Sequence, residues 1–134
     1  MPSELETFTR AYIEAALWSS TYETEERDDA PMDRDFDHTD LSPELQQSMT
    51  ADCRKFLDEN FPDGLVPERW LAREKECTAT EFAGYDFWLT RNGHGCGFWD
   101  GDWKEPHGTR LTDAAKKYPT VELYVGDDGL IYGV

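Results

Sequence analysis

The sequence has few cysteines and no long apolar run. Its three cysteines, Cys53, Cys77 and Cys96, show no paired spacing, which is typical of reduced thiols in a reducing compartment. No window reaches the roughly 18 consecutive apolar residues of a membrane helix, and the first residues carry neither the basic nor the apolar block of a signal peptide. We therefore expect no structural disulfide, no membrane association and a cytoplasmic location.

Basic side chains are also scarce. The chain has 13 Lys and Arg against 29 Asp and Glu, for a net charge of −16. Residues 1–60 carry −11 of that charge and residues 61–134 carry −5. Such a field repels nucleic-acid phosphates and anionic lipids and attracts basic protein surfaces. The charge therefore predicts no direct nucleic-acid binding and a basic protein surface as partner.

Aliphatic residues are comparatively few, and aromatic residues take their place. The sequence holds 5 Trp, 6 Tyr and 7 Phe within 134 residues. Each buried aromatic ring removes a large apolar area from water, and a chain of this length forms one core. We expect a single domain over residues 1–134 with an aromatic core.

The N-terminal half predicts two helices separated by an acidic loop. Residues 4–22 have apolar positions at helical spacing behind the N-cap Ser3. Residues 23–41 hold nine acids and two arginines, a composition typical of a solvated loop. Ser42 and Pro43 then predict a second helix that ends near Asn60. A further short helix is predicted over residues 67–72.

The C-terminal half favours strands. Aromatic and β-prone residues at 86–90 and 97–100 flank a glycine-rich turn and predict a β-hairpin. A short helix over residues 111–118, capped near Thr109, and a second hairpin over residues 121–132 follow. The sequence therefore predicts an α+β fold, in which two to three N-terminal helices pack on a C-terminal antiparallel sheet of order β-β-α-β-β.

Two groups of possible metal ligands have unfavourable spacing. One follows the carboxylate spacing of an EF-hand, but His38 stands where the calcium loop requires glycine for its turn. The other matches no closed zinc motif, and no acid at a defined spacing orients its neighbouring Cys and His for nucleophilic catalysis. We therefore expect no metal, no cofactor and no catalytic residue. The first group is Asp33, Asp35, Asp37 and Glu44, and the second is His94, Cys96, Asp100, Asp102 and His107.

The glycine-rich stretch over residues 91–97 gives an alternative hypothesis. Its backbone amides and the Arg91 guanidinium suit an anion, and His94 suits proton transfer. Asn92, Trp99 and Asp100 complete this candidate site. On this alternative the protein binds a small ligand or a metal at the hairpin, and catalysis stays open, although the sequence favours a non-enzymatic role.

Several segments resemble a family of small uncharacterised acidic proteins from bacteriophages and mobile elements. The resemblance covers residues 86–95 with 97–100 and residues 123–132, and extends to residues 16–20 and 52–56. It implies a viral or mobile-element protein that acts in the host bacterial cytoplasm. It brings no catalytic residues.

Charge and resemblance together favour a non-enzymatic interaction protein. We expect an acidic face to dock on a basic surface of a nucleic-acid-binding protein and to imitate the charge of DNA. A third hypothesis is a structural component of a phage particle, which would oligomerise. The acidic face consists of Asp28, Asp29, Asp33, Asp35, Asp37 and Asp40.

Overall fold

The computed structural model describes residues 3–61, 78–94, 97–98, 103 and 105–134, and helices dominate these ranges. None of the helices in them is long and apolar enough to cross a membrane. The elements in chain order are α1 (Glu4–Ser19), β1 (Thr21–Tyr22), β2 (Ala30–Pro31), α2 (Met32–Asp35), a 3-10 helix (His38–Asp40), α3 (Pro43–Asn60), α4 (Ala79–Arg91), α5 (His107–Lys116), β3 (Leu123–Val125) and β4 (Ile131–Gly133).

The two N-terminal helices begin at the predicted caps. The Ser3 hydroxyl accepts a hydrogen bond from the Glu6 amide at 3.1 Å, and the Ser42 hydroxyl accepts one from the Leu45 amide at 3.1 Å. Each cap satisfies an amide that has no partner within its own helix. α1 ends at Ser19, three residues earlier than predicted, because Thr21 and Tyr22 pair with β2. α3 ends at Asn60, as predicted.

The predicted α+β class is wrong, because the first C-terminal hairpin does not form. Residues 86–91 belong to α4 instead. Thr78 and Glu81 form a capping box at its start, which fixes a helix where the aromatic composition favoured a strand. A β-β-α-β-β sheet is not seen in the described residues, which hold two separate two-stranded sheets, β1–β2 and β3–β4.

Gly84 lies in the middle of α4 and explains how this helix fits. A Cβ at this position would collide with the carbonyl oxygen of Phe8 and lie 2.9 Å from the Ala11 Cβ. The glycine costs helix propensity, about 1 kcal/mol relative to alanine, but it lets α4 lie close along α1. Close packing of α1 and α4 therefore requires glycine at this position.

The remaining C-terminal elements lie close to their predicted positions. α5 begins at His107 and ends at Lys116, against a prediction of 111–118. β3 and β4 form the predicted antiparallel hairpin, with Gly129 in its turn at a φ of 82°. The short helix predicted over residues 67–72 lies outside the described residues.

Aromatic rings fill the core, as the composition predicted. Phe56 of α3 stacks on Phe87 of α4 with ring centroids 4.1 Å apart, and Phe8 of α1 stacks on Phe56 at 5.9 Å. Phe98 stacks on the same ring at 5.8 Å. Phe56 thus joins α1, α4 and Phe98 in one cluster. Offset stacking of these rings adds to the stability gained from their burial.

Candidate functional site

Residues 23–40, called here the acidic segment, form an ordered part of the chain. β1 pairs with β2 across the start of the segment, and α2 and the 3-10 helix follow. Ala30 and Met32 are fully buried and anchor it, and α2 packs against α1. The predicted solvated loop therefore contains short regular elements held by the core.

Nearly all carboxylates of the acidic segment face solvent. Of its nine acidic residues, only Asp40 is half-buried. All six residues of the predicted acidic face thus lie on one short stretch of ordered backbone. The exposed acids are Glu23, Glu25, Glu26, Asp28, Asp29, Asp33, Asp35 and Asp37.

Some of these carboxylates stabilise the segment itself. Asp29 pairs with Arg27 at 2.8 Å, and Asp35 pairs with Arg34 at 2.8 Å and also accepts a hydrogen bond from the Tyr22 hydroxyl. Hydrogen bonds from these arginines hold the pKa of both Asp29 and Asp35 below its usual range. Both arginines of the segment are therefore already occupied by its own acids.

Two further carboxylates cap the 3-10 helix. Asp37 accepts a hydrogen bond from the Thr39 amide at 2.8 Å, and Asp40 accepts one from the Asp37 amide at 2.9 Å. Four exposed acids of the acidic segment form no hydrogen bond or ion pair to a described residue through their side chains. These are Glu23, Glu25, Asp28 and Asp33.

Across the ranges that the structure describes, no three His, Cys, Asp or Glu side chains are grouped to hold a metal ion. In the EF-hand-like stretch, the Asp35 carboxylate accepts a hydrogen bond from Arg34, and the Asp37 carboxylate caps the 3-10 helix. Both carboxylates therefore have partners within the protein. Of the zinc-like group, Cys96, Asp100 and Asp102 lie outside the described residues.

The structure gives Arg91 and Asn92 structural partners. Asn92 ends α4, where its Nδ2 donates to the Trp88 carbonyl at 3.0 Å and its Oδ1 accepts from the Val121 amide at 2.7 Å. His94 follows, half-exposed. Trp99 and Asp100 of the same predicted site lie outside the described residues.

Arg91 forms a buried network with three other parts of the chain. Its side chain is only 4% exposed. Nη1 donates to Asp52 Oδ2 at 2.7 Å and to the Tyr12 hydroxyl at 3.0 Å, and Nε donates to the Pro119 carbonyl at 2.7 Å. Burial disfavours the charged guanidinium, but Tyr12 and Asp52 outweigh it and raise the pKa of Arg91.

This network forms part of the wall of a polar cleft of about 680 Å³ between α3, the end of α4 and the segment after α5. We call it the basic cleft, because it contains the cations Lys55, Arg91 and Lys117 together with Asp52 and Glu59. Tyr118 lies between cations, with Lys55 Nζ at 5.6 Å and the Arg91 guanidinium at 5.3 Å from its ring centroid.

Sequence reasoning found Arg91 but missed its partners. Asp52 and Lys55 stand on α3, and Lys117 and Tyr118 follow α5, far from Arg91 along the chain. A helical reading of residues 79–91 would have placed Arg91 seven residues after Gly84, on the buried face of α4. The capping box at Thr78 and Glu81 was the signal for that reading.

No family model, curated protein or solved structure matches the chain. The resemblance to proteins of bacteriophages and mobile elements therefore stays a prediction.

Proposed function

We propose that the protein is a non-enzymatic interaction protein whose acidic segment docks on a basic protein surface. One observation carries this proposal: eight exposed carboxylates stand on a short, anchored stretch of backbone whose only two cations are already paired within it. The uncompensated charge therefore faces outward, where it attracts cationic partners over about one Debye length of 8 Å.

Anchoring of the segment supports docking. A disordered acidic tail loses conformational entropy when it binds, and this loss weakens affinity. Buried Met32 and the caps at Asp37 and Asp40 fix the backbone of the acidic segment before any partner arrives. The carboxylates are thus pre-organised, which favours a specific partner over general attraction.

A basic surface that binds nucleic acid is the partner that this charge pattern fits best. Such a surface carries several Lys and Arg arranged to contact successive phosphates. A protein that presents carboxylates to it competes with DNA or RNA directly. We therefore propose that the partner is a nucleic-acid-binding protein of a bacterial host or mobile element, and that binding blocks its nucleic-acid site.

A matched pair of variants tests this proposal. One variant neutralises the four unpaired acids of the segment, and the control neutralises four exposed acids elsewhere, so that both change the net charge equally. We expect the first to bind partners at least about fourfold more weakly, from about 0.2–1 kcal/mol for each neutralised exposed charge, and the control to bind them normally. The test variant is E23Q/E25Q/D28N/D33N, and the control is D58N/D113N/E122Q/D127N.

The assay is capture of bacterial proteins on the immobilised chain at low ionic strength, followed by elution with duplex DNA. The proposal is supported if DNA releases the captured protein and if the test variant fails to capture that protein while the control variant still captures it. Equal capture by both variants would show that diffuse net charge explains the binding. Retention of the partner during DNA elution would contradict competition for a nucleic-acid site.

A further inference from the structure

The basic cleft is a second candidate binding site, separate from the acidic segment. Its volume of about 680 Å³ lies within the range of about 300–1,000 Å³ that small-molecule sites occupy. Three different parts of the chain form it: α3, the end of α4 and residues 114–119. A cleft between packed elements, lined by charged side chains, is suited to a small polar ligand.

The local charge of this cleft is opposite to that of the whole chain. Lys55, Arg91 and Lys117 stand against Asp52 and Glu59, and Asp52 is already neutralised by Arg91 at 2.7 Å. The remaining acids of the chain act at longer range, where salt screens them beyond about 8 Å. An anion inside the cleft therefore meets a net positive charge, because Lys55 and Lys117 exceed Glu59, while Arg91 and Asp52 balance each other.

Arg91 keeps donors available for such an anion. Nε and Nη1 are used by Pro119, Asp52 and Tyr12, whereas Nη2 forms no hydrogen bond within the described residues. Arg91 lines the cleft, although its side chain is only 4% exposed. A guanidinium fixed by three hydrogen bonds is pre-organised to bind an oxyanion.

We propose that the basic cleft binds a phosphate monoester through Arg91, Lys55 and Lys117. A phosphate monoester carries a charge near −2 and three acceptor oxygens, so it can accept a hydrogen bond from each of these three groups, whereas a carboxylate offers only two oxygens and a single charge. Tyr118 contributes an uncharged wall. Burial, followed by the charges of Glu59 and Asp52, raises the pKa of its hydroxyl to about 12, further above neutral pH than that of an ordinary tyrosine.

Neighbouring residues of like charge supply the controls. Lys117 lines the cleft and Lys116 does not, and Lys55 lines it whereas Arg54 lies elsewhere on α3. All four side chains are exposed, so their replacement leaves the core intact. The test variants are Lys55→Gln and Lys117→Gln, and the controls are Arg54→Gln and Lys116→Gln.

The experiment is an NMR titration of the full chain with glycerol 3-phosphate, and in parallel with inorganic phosphate and succinate. We expect saturable shifts of the Arg91 Nε–H and Tyr118 signals, binding about three- to fivefold weaker in each test variant, and unchanged binding in the controls. Because these variants leave the acidic segment intact, the result is independent of the docking proposal.

Three outcomes would overturn the proposal. Absence of saturable shifts with either phosphate would show that the cleft takes no phosphate. Equal weakening in test and control variants would assign the binding to diffuse attraction. Binding of succinate as tight as that of glycerol 3-phosphate would refute the phosphate monoester as the ligand class.

Discussion

Replacement of Arg91 by methionine should destabilise the fold strongly, although the change keeps much of the apolar stem. The substitution removes three hydrogen bonds that join α4 to α1, α3 and Pro119. It leaves the Tyr12 hydroxyl, in a residue only 1% exposed, without a described side-chain partner, whereas Asp52 is 29% exposed and can be hydrated. An orphaned buried hydroxyl costs about 1–3 kcal/mol.

We expect a loss of about 3 kcal/mol in the free energy of unfolding for Arg91→Met, from the orphaned hydroxyl together with the lost charged hydrogen bonds. This is a large part of the 5–15 kcal/mol typical of a domain. Urea denaturation followed by circular dichroism measures it. Arg54→Met, at an exposed position of the neighbouring α3, is the control and should change stability by less than about 0.5 kcal/mol.

A double-mutant cycle with Tyr12→Phe isolates the hydroxyl contribution. In the parent chain Tyr12→Phe should cost about 1 kcal/mol, because Arg91 loses one acceptor but keeps Asp52. In the Arg91→Met background it should be neutral or stabilising, since it removes the orphaned group. Equal costs in both backgrounds, or a loss for Arg91→Met no larger than that of Arg54→Met, would refute this account of the network.

Three further predictions follow from buried and paired groups. The pKa values of Asp35 and Asp37 are lowered in the folded protein. The two carboxylates therefore stabilise the fold above the unfolded-state pKa of about 3.9, and this stabilisation is lost as the pH falls through their folded pKa values. The melting temperature should drop over this acid range, and it should drop less in Asp35→Asn or Asp37→Asn. Gly84→Ala should cost about 2 kcal/mol in urea denaturation, because the new methyl meets Phe8 and α1; an unchanged midpoint would contradict the close approach. Burial raises the pKa of the Cys53 thiol, so peptide mapping should find it unlabelled by a thiol reagent until denaturant is added.

The N-terminal half was predictable because its signals are local. Ser3, Ser42 and Pro43 act through hydrogen bonds and φ values within one helical turn, so their meaning does not depend on the rest of the fold. The two helix starts were therefore correct to the residue. The final hairpin was correct for the same reason, since Gly129 supplies the positive φ of its turn.

The α4 helix was missed because tertiary packing decides it. Phe87 and Trp88 have strand propensity, and Gly84 weakens a helix, yet α1 supplies a surface on which only a glycine fits. The basic cleft was missed for a related reason. Asp52 and Arg91 lie 39 positions apart in the chain, and no local pattern reports a contact at that separation.

The anchoring of the acidic segment has a consequence for how this surface can evolve. Only a few inward side chains, Ala30 and Met32 among them, tie the segment to the core, while Asp28 and Asp33 point into solvent and support no neighbour in the described structure. Mutations at those outward positions escape purifying selection for stability. Natural variants should therefore keep the methionine and the small residue for the fold, and keep the pattern of acids only as far as the partner requires it.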